Sequence, residues 1–186
     1  MNLDDSKNDD NLSKIIFITG GTKSGKSEFA EYLATNTENL IYVALSASRS
    51  KDEDWQKKIL NHRKRRPKNW KLIETTDLIK VLKLEKEPLL IDSIGGFVME
   101  SLEKENEEWS KKINSLINLL QKRKTYTFIV GEQVGWSLVS EYKIGNKYIE
   151  RIGELQKKIT KLSQHNWLAI NGRAIKIDEI SIEIPS

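Results

Sequence analysis

The residues from Gly20 to Ser27 have the types and the spacing needed to bind a phosphate group. Gly20 is followed by four residues and then by Gly25, Lys26 and Ser27, which is the Walker A spacing. Glycines let backbone N–H groups converge on an anion, the lysine supplies a mobile cation, and the serine hydroxyl can ligate Mg²⁺. We therefore predict that this loop binds a nucleotide and that Lys26 is catalytic. The predicted binding residues of the loop are Gly20, Gly21, Thr22, Lys23, Ser24, Gly25, Lys26 and Ser27.

The loop is flanked by the elements that such a site needs. Apolar residues 15–18 predict a buried strand before it, and a short helix is expected to begin near Lys26. Strands and helices continue to alternate, which favours an α/β fold of the P-loop NTPase type with a mostly parallel sheet flanked by helices. Further strands are expected at 40–44, 70–74, 89–91 and 126–130, and helices at 52–66, 77–84, 95–122 (in two pieces separated by 103–108) and 144–162.

The C-terminal region is expected to add antiparallel strands. Asn171-Gly172 suits a two-residue type I′ turn, so residues 167–170 and 174–177 are predicted to form a hairpin. Residues 180–184 are expected to form one further edge strand. With 186 residues, the chain fits one domain. We predict a disordered polar leader at 1–13 and a single α/β domain at 14–186.

Composition argues against several other classes of protein. The chain has no cysteine, which excludes disulfides and thiolate metal sites. Its acidic, polar N-terminus is unlike a signal peptide, and no apolar run approaches the roughly 18 residues of a membrane span. We therefore expect a cytoplasmic protein without a membrane span.

Asp92 follows apolar residues 89–91, at the end of a strand where parallel sheets place ligand-binding groups. A carboxylate there is the usual partner of a magnesium-bound nucleotide. We predict that Ser27 and Asp92 hold Mg²⁺, with a solvent-facing loop aspartate as the simpler alternative.

The two histidines lie in different contexts. His62 is followed by the basic residues 63–66, and neighbouring cations lower the pKa of an imidazole and favour its neutral, nucleophilic form. On spacing alone, a surface histidine on a solvated basic helix is the commoner arrangement. His165 is expected at the end of the long helix, where a structural role is favoured because a cation complements the helix dipole.

A polar segment follows the predicted strand at 126–130, and so lies at the same sheet edge as the loop. Its residues either contact an acceptor substrate or pack the loop, and the sequence favours neither interpretation. They are Glu132, Gln133, Gly135 and Trp136.

Several motifs together resemble a known family. They are the loop Gly20-Gly21-Thr22-Lys23-Ser24-Gly25-Lys26-Ser27, the strand Tyr42-Val43-Ala44-Leu45-Ser46, the segment His62-Arg63-Lys64-Arg65-Arg66-Pro67-Lys68-Asn69-Trp70 with Glu74 after it, and Ile91-Asp92-Ser93. On these motifs, residues 14–177 resemble the bifunctional adenosylcobinamide kinase / adenosylcobinamide-phosphate guanylyltransferase family of the cobalamin pathway.

The resemblance implies a two-step nucleotide chemistry. The kinase step would move the γ-phosphoryl group of ATP or GTP to the aminopropanol hydroxyl of adenosylcobinamide, with Lys26 and Mg²⁺ spreading the charge. In the second step His62 would attack the α-phosphorus of GTP, expel pyrophosphate and pass GMP to the cobinamide phosphate, giving adenosylcobinamide-GDP. The residues implied to bind the nucleotide besides the loop are Ala44, Leu45, Ser46, Arg63, Lys64, Arg65, Arg66, Glu74 and Asp92.

The same resemblance implies the partners. They are GTP or ATP and a cobinamide corrinoid, without nucleic acid, and we expect a homo-oligomer with a trimer among the candidates.

The chain also departs from the family pattern. Asn61 stands where a second histidine is frequent, and residues 132–135 read Glu-Gln-Val-Gly where the family has Asn-Glu-Val-Gly. Further departures are Ser140, Asn146, Ile149, Gln156 and Lys157. Guanylyl transfer is therefore better supported than the kinase step.

Two other functions stay open at this point. A small-metabolite P-loop kinase would use residues 63–66 to clamp phosphates and would form no covalent GMP. A nucleotide-dependent nucleic-acid-binding protein would use the same basic run on a phosphate backbone, with steeply salt-dependent affinity. Against the latter, the basic residues are not interleaved with aromatic residues.

Overall fold

The computed structural model describes residues 13–45, 67, 69–136 and 140–185. The predicted helix at 52–66 and nearly all of the predicted leader lie outside the described residues. Along the described residues, strands and helices mostly alternate. In order they are β1 (Ile15–Gly20), α1 (Lys26–Ala34), β2 (Ile41–Leu45), β3 (Lys71–Thr75), α2 (Leu78–Leu84), β4 (Leu89–Asp92), α3 (Gly95–Glu100), α4 (Asn106–Gln121), β5 (Thr127–Glu132), α5 (Lys143–Leu162), β6 (His165–Ile170) and β7 (Arg173–Lys176).

Within the described residues, seven strands form one sheet in the order β3-β2-β4-β5-β1-β6-β7. Every pairing is parallel except that of β6 with β7. Asn171 and Gly172 join these two strands with φ angles of 48° and 75°, the positive values that a type I′ turn requires. The predicted α/β class, the mostly parallel sheet and the C-terminal hairpin are confirmed.

Alternate residues of the central strands face two separate apolar layers, as the two-residue period of a strand requires. Phe17, Val43 and Ile91 pack with apolar residues of α2, α3, α4 and α5. Ile18, Tyr42 and Leu90 face the opposite side and pack with residues of α1. Because the central strands are buried on both faces, their near-continuous apolar sequences are what a parallel sheet needs.

The predicted apolar stripe of α5 is mostly correct, since Ile152, Leu155 and Ile159 are buried. At its start the prediction is wrong, because Ile144 is 55% exposed. The stripe also includes a buried charge that apolar spacing could not identify. The guanidinium of Arg151 donates to the carbonyl oxygens of Ser101 at 2.7 Å and of Lys104 at 2.6 Å, and so ties the loop between α3 and α4 to α5.

Two expectations for the C-terminal part are wrong. Residues 180–184 form no strand, because a 3₁₀ turn at Ile177–Glu179 ends the hairpin and the isoleucines that follow are exposed. His165 begins β6 instead of ending α5. Burial and the nearby Lys176 lower the pKa of His165, whereas Asp178 and Glu179 oppose that shift.

Across the described ranges, no helix combines the length and the apolar character that crossing a membrane requires.

The packing of α2 gives a matched test of the fold. Leu82 is 3% exposed and Leu84, two residues later, is 66% exposed. We expect Leu82→Ala to lower the free energy of unfolding by about 2–5 kcal/mol, because it leaves a cavity under the helix. Leu84→Ala should change it by less than about 0.5 kcal/mol. Urea unfolding of both variants measures the difference, and equal losses would mean that α2 does not pack as described.

Candidate nucleotide-binding site

The phosphate loop, residues 20–27, links the end of β1 to the start of α1. Hydrogen bonds within the loop hold its conformation. Lys26 Nζ donates to the carbonyl oxygen of Gly21 at 3.1 Å, and the Ser24 N–H donates to the same oxygen at 3.3 Å. Gly25 has a φ of 93°, a left-handed conformation that favours glycine, immediately before the first residue of α1. The loop therefore lies at a helix N-terminus with a lysine directed back over it, an arrangement that suits an anion.

The C-terminal hairpin forms one wall of this loop. A Cβ atom on Gly20 would lie 2.4 Å from the carbonyl oxygen of Ala169, so this position admits only glycine without a backbone shift. The Gly172 N–H donates to the carbonyl oxygen of Ser24 at 3.0 Å. The turn that the sequence predicted only as a strand connection thus also supports the phosphate loop.

Asp92 is held by two hydroxyl groups. Ser27 Oγ donates to Asp92 Oδ1 at 3.2 Å, and the Tyr42 hydroxyl donates to Oδ2. Ser27 and Asp92 are therefore adjacent, as a shared divalent cation would require, and both offer the oxygen ligands that Mg²⁺ prefers. Tyr42 is only 1% exposed and lies on the neighbouring strand β2, so its contribution was not evident from the motifs.

The residues that the resemblance added to the site fall into two groups. Ala44 pairs with Asp92 on one side and with Glu74 on the other, so the three lie in one row across the carboxyl edge of the sheet. Leu45 follows at the end of β2 and is buried. The remaining predicted site residues lie outside the described residues: Ser46, His62, Arg63, Lys64, Arg65 and Arg66.

Glu132 ends β5, the strand between the loop strand β1 and the Asp92 strand β4. Its carboxylate accepts hydrogen bonds from the Ser93 hydroxyl and, at 3.1 Å, from the Gly95 N–H. Burial raises the pKa of Glu132 and the Asp92 charge adds to that increase, whereas the Ser93 hydrogen bond and Lys26 oppose it. Burial and the Glu132 charge also raise the pKa of Tyr148.

Gln133 has a different role from its neighbour. Its backbone N–H donates to the Gly20 carbonyl at 3.0 Å, and its side chain donates to Thr19 Oγ1 at 3.1 Å and to Gln156 Oε1 at 3.2 Å. Gln156 in turn donates to the Glu132 carbonyl oxygen at 2.8 Å. These contacts connect β5 and α5 to the base of the loop. Gly135 and Trp136 are exposed.

Sequence reasoning missed several residues that complete the site. Ser93 and Tyr148 adjoin the Glu132 carboxylate, and Gln156 was recognised only as a departure from the family pattern. Ser93 had been named only as the last residue of the motif Ile91-Asp92-Ser93, without a role, and its place directly after Asp92 was the one signal for it. Tyr148 and Gln156 come from α5, and only the packing of that helix brings them to the sheet edge.

The fold and this site together define a P-loop nucleotide-binding protein of the α/β class. Two solved structures have a similar fold at 10% sequence identity. One is a Pyrococcus horikoshii OT3 protein, with a TM-score of 0.56 over 95% of this chain and 93% of that chain. The other is a prototypical ATPase from a type III secretion system of pathogenic bacteria, with a TM-score of 0.52 over 84% of this chain and 51% of that chain.

Sequence comparison is more specific. A family model described as cobinamide kinase / cobinamide phosphate guanyltransferase matches residues 16–177. The chain is 26% identical to the bifunctional adenosylcobalamin biosynthesis protein CobU of Escherichia coli K12, over 88% of this chain and 99% of that protein. It is 24% identical to the bifunctional adenosylcobalamin biosynthesis protein CobP of Pseudomonas aeruginosa, over 83% and 92% respectively. The chain belongs to the cobinamide kinase / cobinamide phosphate guanyltransferase family, a family of enzymes, which confirms the resemblance drawn from the motifs.

The contact between the loop and the hairpin can be tested with two adjacent glycines. Gly20→Ala should lower the free energy of unfolding by about 1–3 kcal/mol, because its methyl group meets the Ala169 carbonyl oxygen. Gly21→Ala should change it by less than about 0.5 kcal/mol, since no atom outside residues 20–22 lies within 4 Å of the added methyl. Urea unfolding without nucleotide provides the measurement. A Gly20→Ala protein as stable as wild type would contradict the described packing.

Proposed function

We propose that this chain carries out both reactions of its family: phosphorylation of adenosylcobinamide, and transfer of GMP from GTP to adenosylcobinamide phosphate. The product is adenosylcobinamide-GDP, an intermediate of cobalamin biosynthesis. The single observation that carries the proposal is the phosphate loop with Ser27 and Asp92 in hydrogen-bond contact beside Lys26, in a chain of this family. Loop N–H groups and Lys26 suit the triphosphate that both reactions consume.

In the kinase step, the hydroxyl oxygen of the acceptor forms a bond to the γ-phosphorus of ATP or GTP. The bond to the β,γ-bridging oxygen breaks, and the nucleoside diphosphate leaves with the electron pair. Lys26 is assigned to the phosphate oxygens, which requires its ammonium group to leave the Gly21 carbonyl when nucleotide binds. Removal of charge repulsion at the transferring group is the main contribution that such a site makes to the rate.

Ser27 and Asp92 are assigned to Mg²⁺. A magnesium ion usually takes one or two protein oxygens together with phosphate oxygens and water, so this donor pair fits it. When bound, the metal neutralises charge that develops on the phosphates. In this assignment, the Tyr42 hydroxyl keeps the Asp92 carboxylate oriented toward Ser27.

In the guanylyl transfer step, His62 is assigned as the nucleophile. A ring nitrogen bonds to the α-phosphorus of GTP, pyrophosphate leaves, and the acceptor phosphate later displaces the histidine and takes the GMP. Residues 63–66 neutralise the phosphates. The chain that carries His62 leaves the sheet at Leu45, beside the Ala44–Asp92 row. Sixteen residues lie between Leu45 and His62, and the seventeen Cα–Cα steps span up to about 56 Å when extended, so chain length does not prevent His62 from reaching the nucleotide.

We further propose that the partners are GTP or ATP and a cobinamide corrinoid, that the protein assembles as a homo-oligomer, and that Glu74, Ala44 and Leu45 line the nucleotide site. Glu74 and Ala44 share the row that contains Asp92, which supports this part of the assignment.

The histidine assignment is tested by intact-mass measurement after incubation with magnesium and GTP. The wild type should gain one acid-labile GMP, and His62→Ala should gain none. His165→Ala is the matched control because the chain has only two histidines, and it should be labelled like the wild type. Labelling of His62→Ala would overturn the nucleophile assignment. An unlabelled wild type that still transfers phosphate would favour the small-metabolite kinase instead.

The metal assignment is tested with Asp92→Asn in a magnesium titration of GMP labelling. Replacing the carboxylate by an amide should raise the magnesium concentration for half-maximal labelling by about 10-fold or more, because carboxylates are the preferred protein ligands of this ion. Asp77→Asn is the control, because Asp77 caps α2 by accepting from the Lys80 N–H at 3.0 Å. An unchanged magnesium requirement in Asp92→Asn would exclude Asp92 as a ligand.

A further inference from the structure

The Glu132 carboxylate has no part in the functions assigned so far, although it lies between groups that do. β5 separates β4 from β1 in the sheet. Glu132 pairs with Gly20, the first glycine of the loop, and Asp92 pairs with Val130 two residues earlier on β5. The carboxylate is near enough to Lys26 and to Asp92 for both charges to act on it.

This carboxylate is held in a defined position. The Ser93 hydroxyl donates to Oε1 and the Gly95 N–H donates to Oε2 at 3.1 Å. Gly95 also provides the space, because a Cβ atom there would lie 2.7 and 2.8 Å from the two carboxylate oxygens and 2.4 Å from the Tyr148 hydroxyl oxygen. The Glu132 carboxylate therefore lies against Ser93, which follows β4, and against the first residue of α3, with Tyr148 of α5 beside them.

The chemistry of the carboxylate limits what it can bind. An ionised carboxylate only accepts hydrogen bonds, and each oxygen here accepts one from the protein and keeps further acceptor capacity. A phosphate oxygen would be repelled by it, so the matching ligand is a group that carries a proton. Glu132 is partly accessible. Burial raises the pKa of its carboxyl group and the Asp92 charge adds to that increase, whereas the Ser93 hydrogen bond and Lys26 oppose it, and a raised pKa suits a group that accepts a proton.

We propose that Glu132 is a catalytic residue of the kinase step and accepts the proton of the attacking acceptor hydroxyl. As the hydroxyl oxygen bonds to the γ-phosphorus, its proton passes to a Glu132 oxygen, the β,γ-bridging bond breaks, and the nucleoside diphosphate leaves with the bonding electrons. The proton returns to water after product release. Ser93 and Gly95 are positioning residues that fix the carboxylate. This inference rests on the proposed kinase function.

Glu132 lies in a segment where this chain departs from the family pattern. Where the family has Asn-Glu, this chain has Glu132-Gln133. Gln133 is directed to Thr19 and Gln156 in the base of the loop, and Glu132 is directed to Ser93 and Gly95. In this proposal the acidic group at the carboxyl edge of the sheet is therefore Glu132, the last residue of β5. The kinase step then does not depend on a carboxylate at position 133.

The test compares Glu132→Gln with wild type in two assays: phosphorylation of adenosylcobinamide and covalent labelling by GTP. Because glutamine is a poor proton acceptor, kcat for phosphorylation should fall by about 10²–10⁴-fold. The Kd for a non-hydrolysable GTP analogue, the extent of GMP labelling and the midpoint of thermal unfolding should stay close to wild type. Glu154→Gln is the matched control, because its carboxylate also accepts a hydrogen bond from a buried donor, Trp109 Nε1, at 2.7 Å.

The outcomes are distinct. A kcat for Glu132→Gln within threefold of wild type would overturn the proposal. Parallel loss of nucleotide affinity, labelling and thermal stability would also overturn it, in favour of a structural role in shaping the 92–95 segment. If GTP labels the wild type but the wild type phosphorylates no cobinamide, the kinase part of the proposed function fails. The inference about Glu132 then fails as well, and the wild-type assay alone shows this, without the Glu132→Gln variant.

Discussion

The site depends on a close approach between the phosphate loop and the strand on its other side. β6 pairs with β1 in parallel, so the Ala169 carbonyl oxygen lies where a side chain on Gly20 would project. The turn after β6 then donates a hydrogen bond to Ser24. Strand β6 and the turn after it thus restrain the phosphate loop before a nucleotide binds. Such preorganisation reduces the conformational entropy that binding would otherwise cost.

A second consequence of the parallel sheet is the crowding of charge at its carboxyl edge. β4, β5 and β1 end side by side, and Asp92 at the end of β4 and Lys26 at the start of α1 both lie within electrostatic range of Glu132. Two carboxylates in one partly buried site repel each other. Here each has its own donors: Ser27 and Tyr42 for Asp92, and Ser93 and Gly95 for Glu132. Each carboxylate is thus positioned by its own hydrogen-bond donors.

Local patterns in the sequence predicted most of the elements and the centre of the site. The Walker A spacing, the apolar strand ending at Asp92 and the Asn171-Gly172 turn each depend on a few adjacent residues whose chemistry determines their conformation. The contributions of Tyr42, Arg151 and Gln156 were not predictable, because each acts on a residue far away in the chain. The isoleucines after residue 179 alternate like a strand, but no neighbouring strand pairs with them in the described structure, and alternation alone does not supply hydrogen-bond partners.

The two proposed reactions act on different phosphorus atoms of a nucleoside triphosphate. Each reaction therefore needs its own attacking group and its own supporting side chains. In the proposed kinase step the acceptor hydroxyl attacks the γ-phosphorus, to which Lys26 is assigned, and Glu132 lies close enough to Lys26 for the lysine charge to act on its carboxylate. Attack at the α-phosphorus needs a nucleophile from elsewhere, and the chain that carries His62 leaves the sheet from β2, on the far side of β4. With these proposed roles, we expect a change at Glu132 to affect phosphoryl transfer and a change at His62 to affect guanylyl transfer. In the same proposal, the departures from the family pattern at residues 132 and 133 concern the kinase step and do not involve the groups assigned to guanylyl transfer.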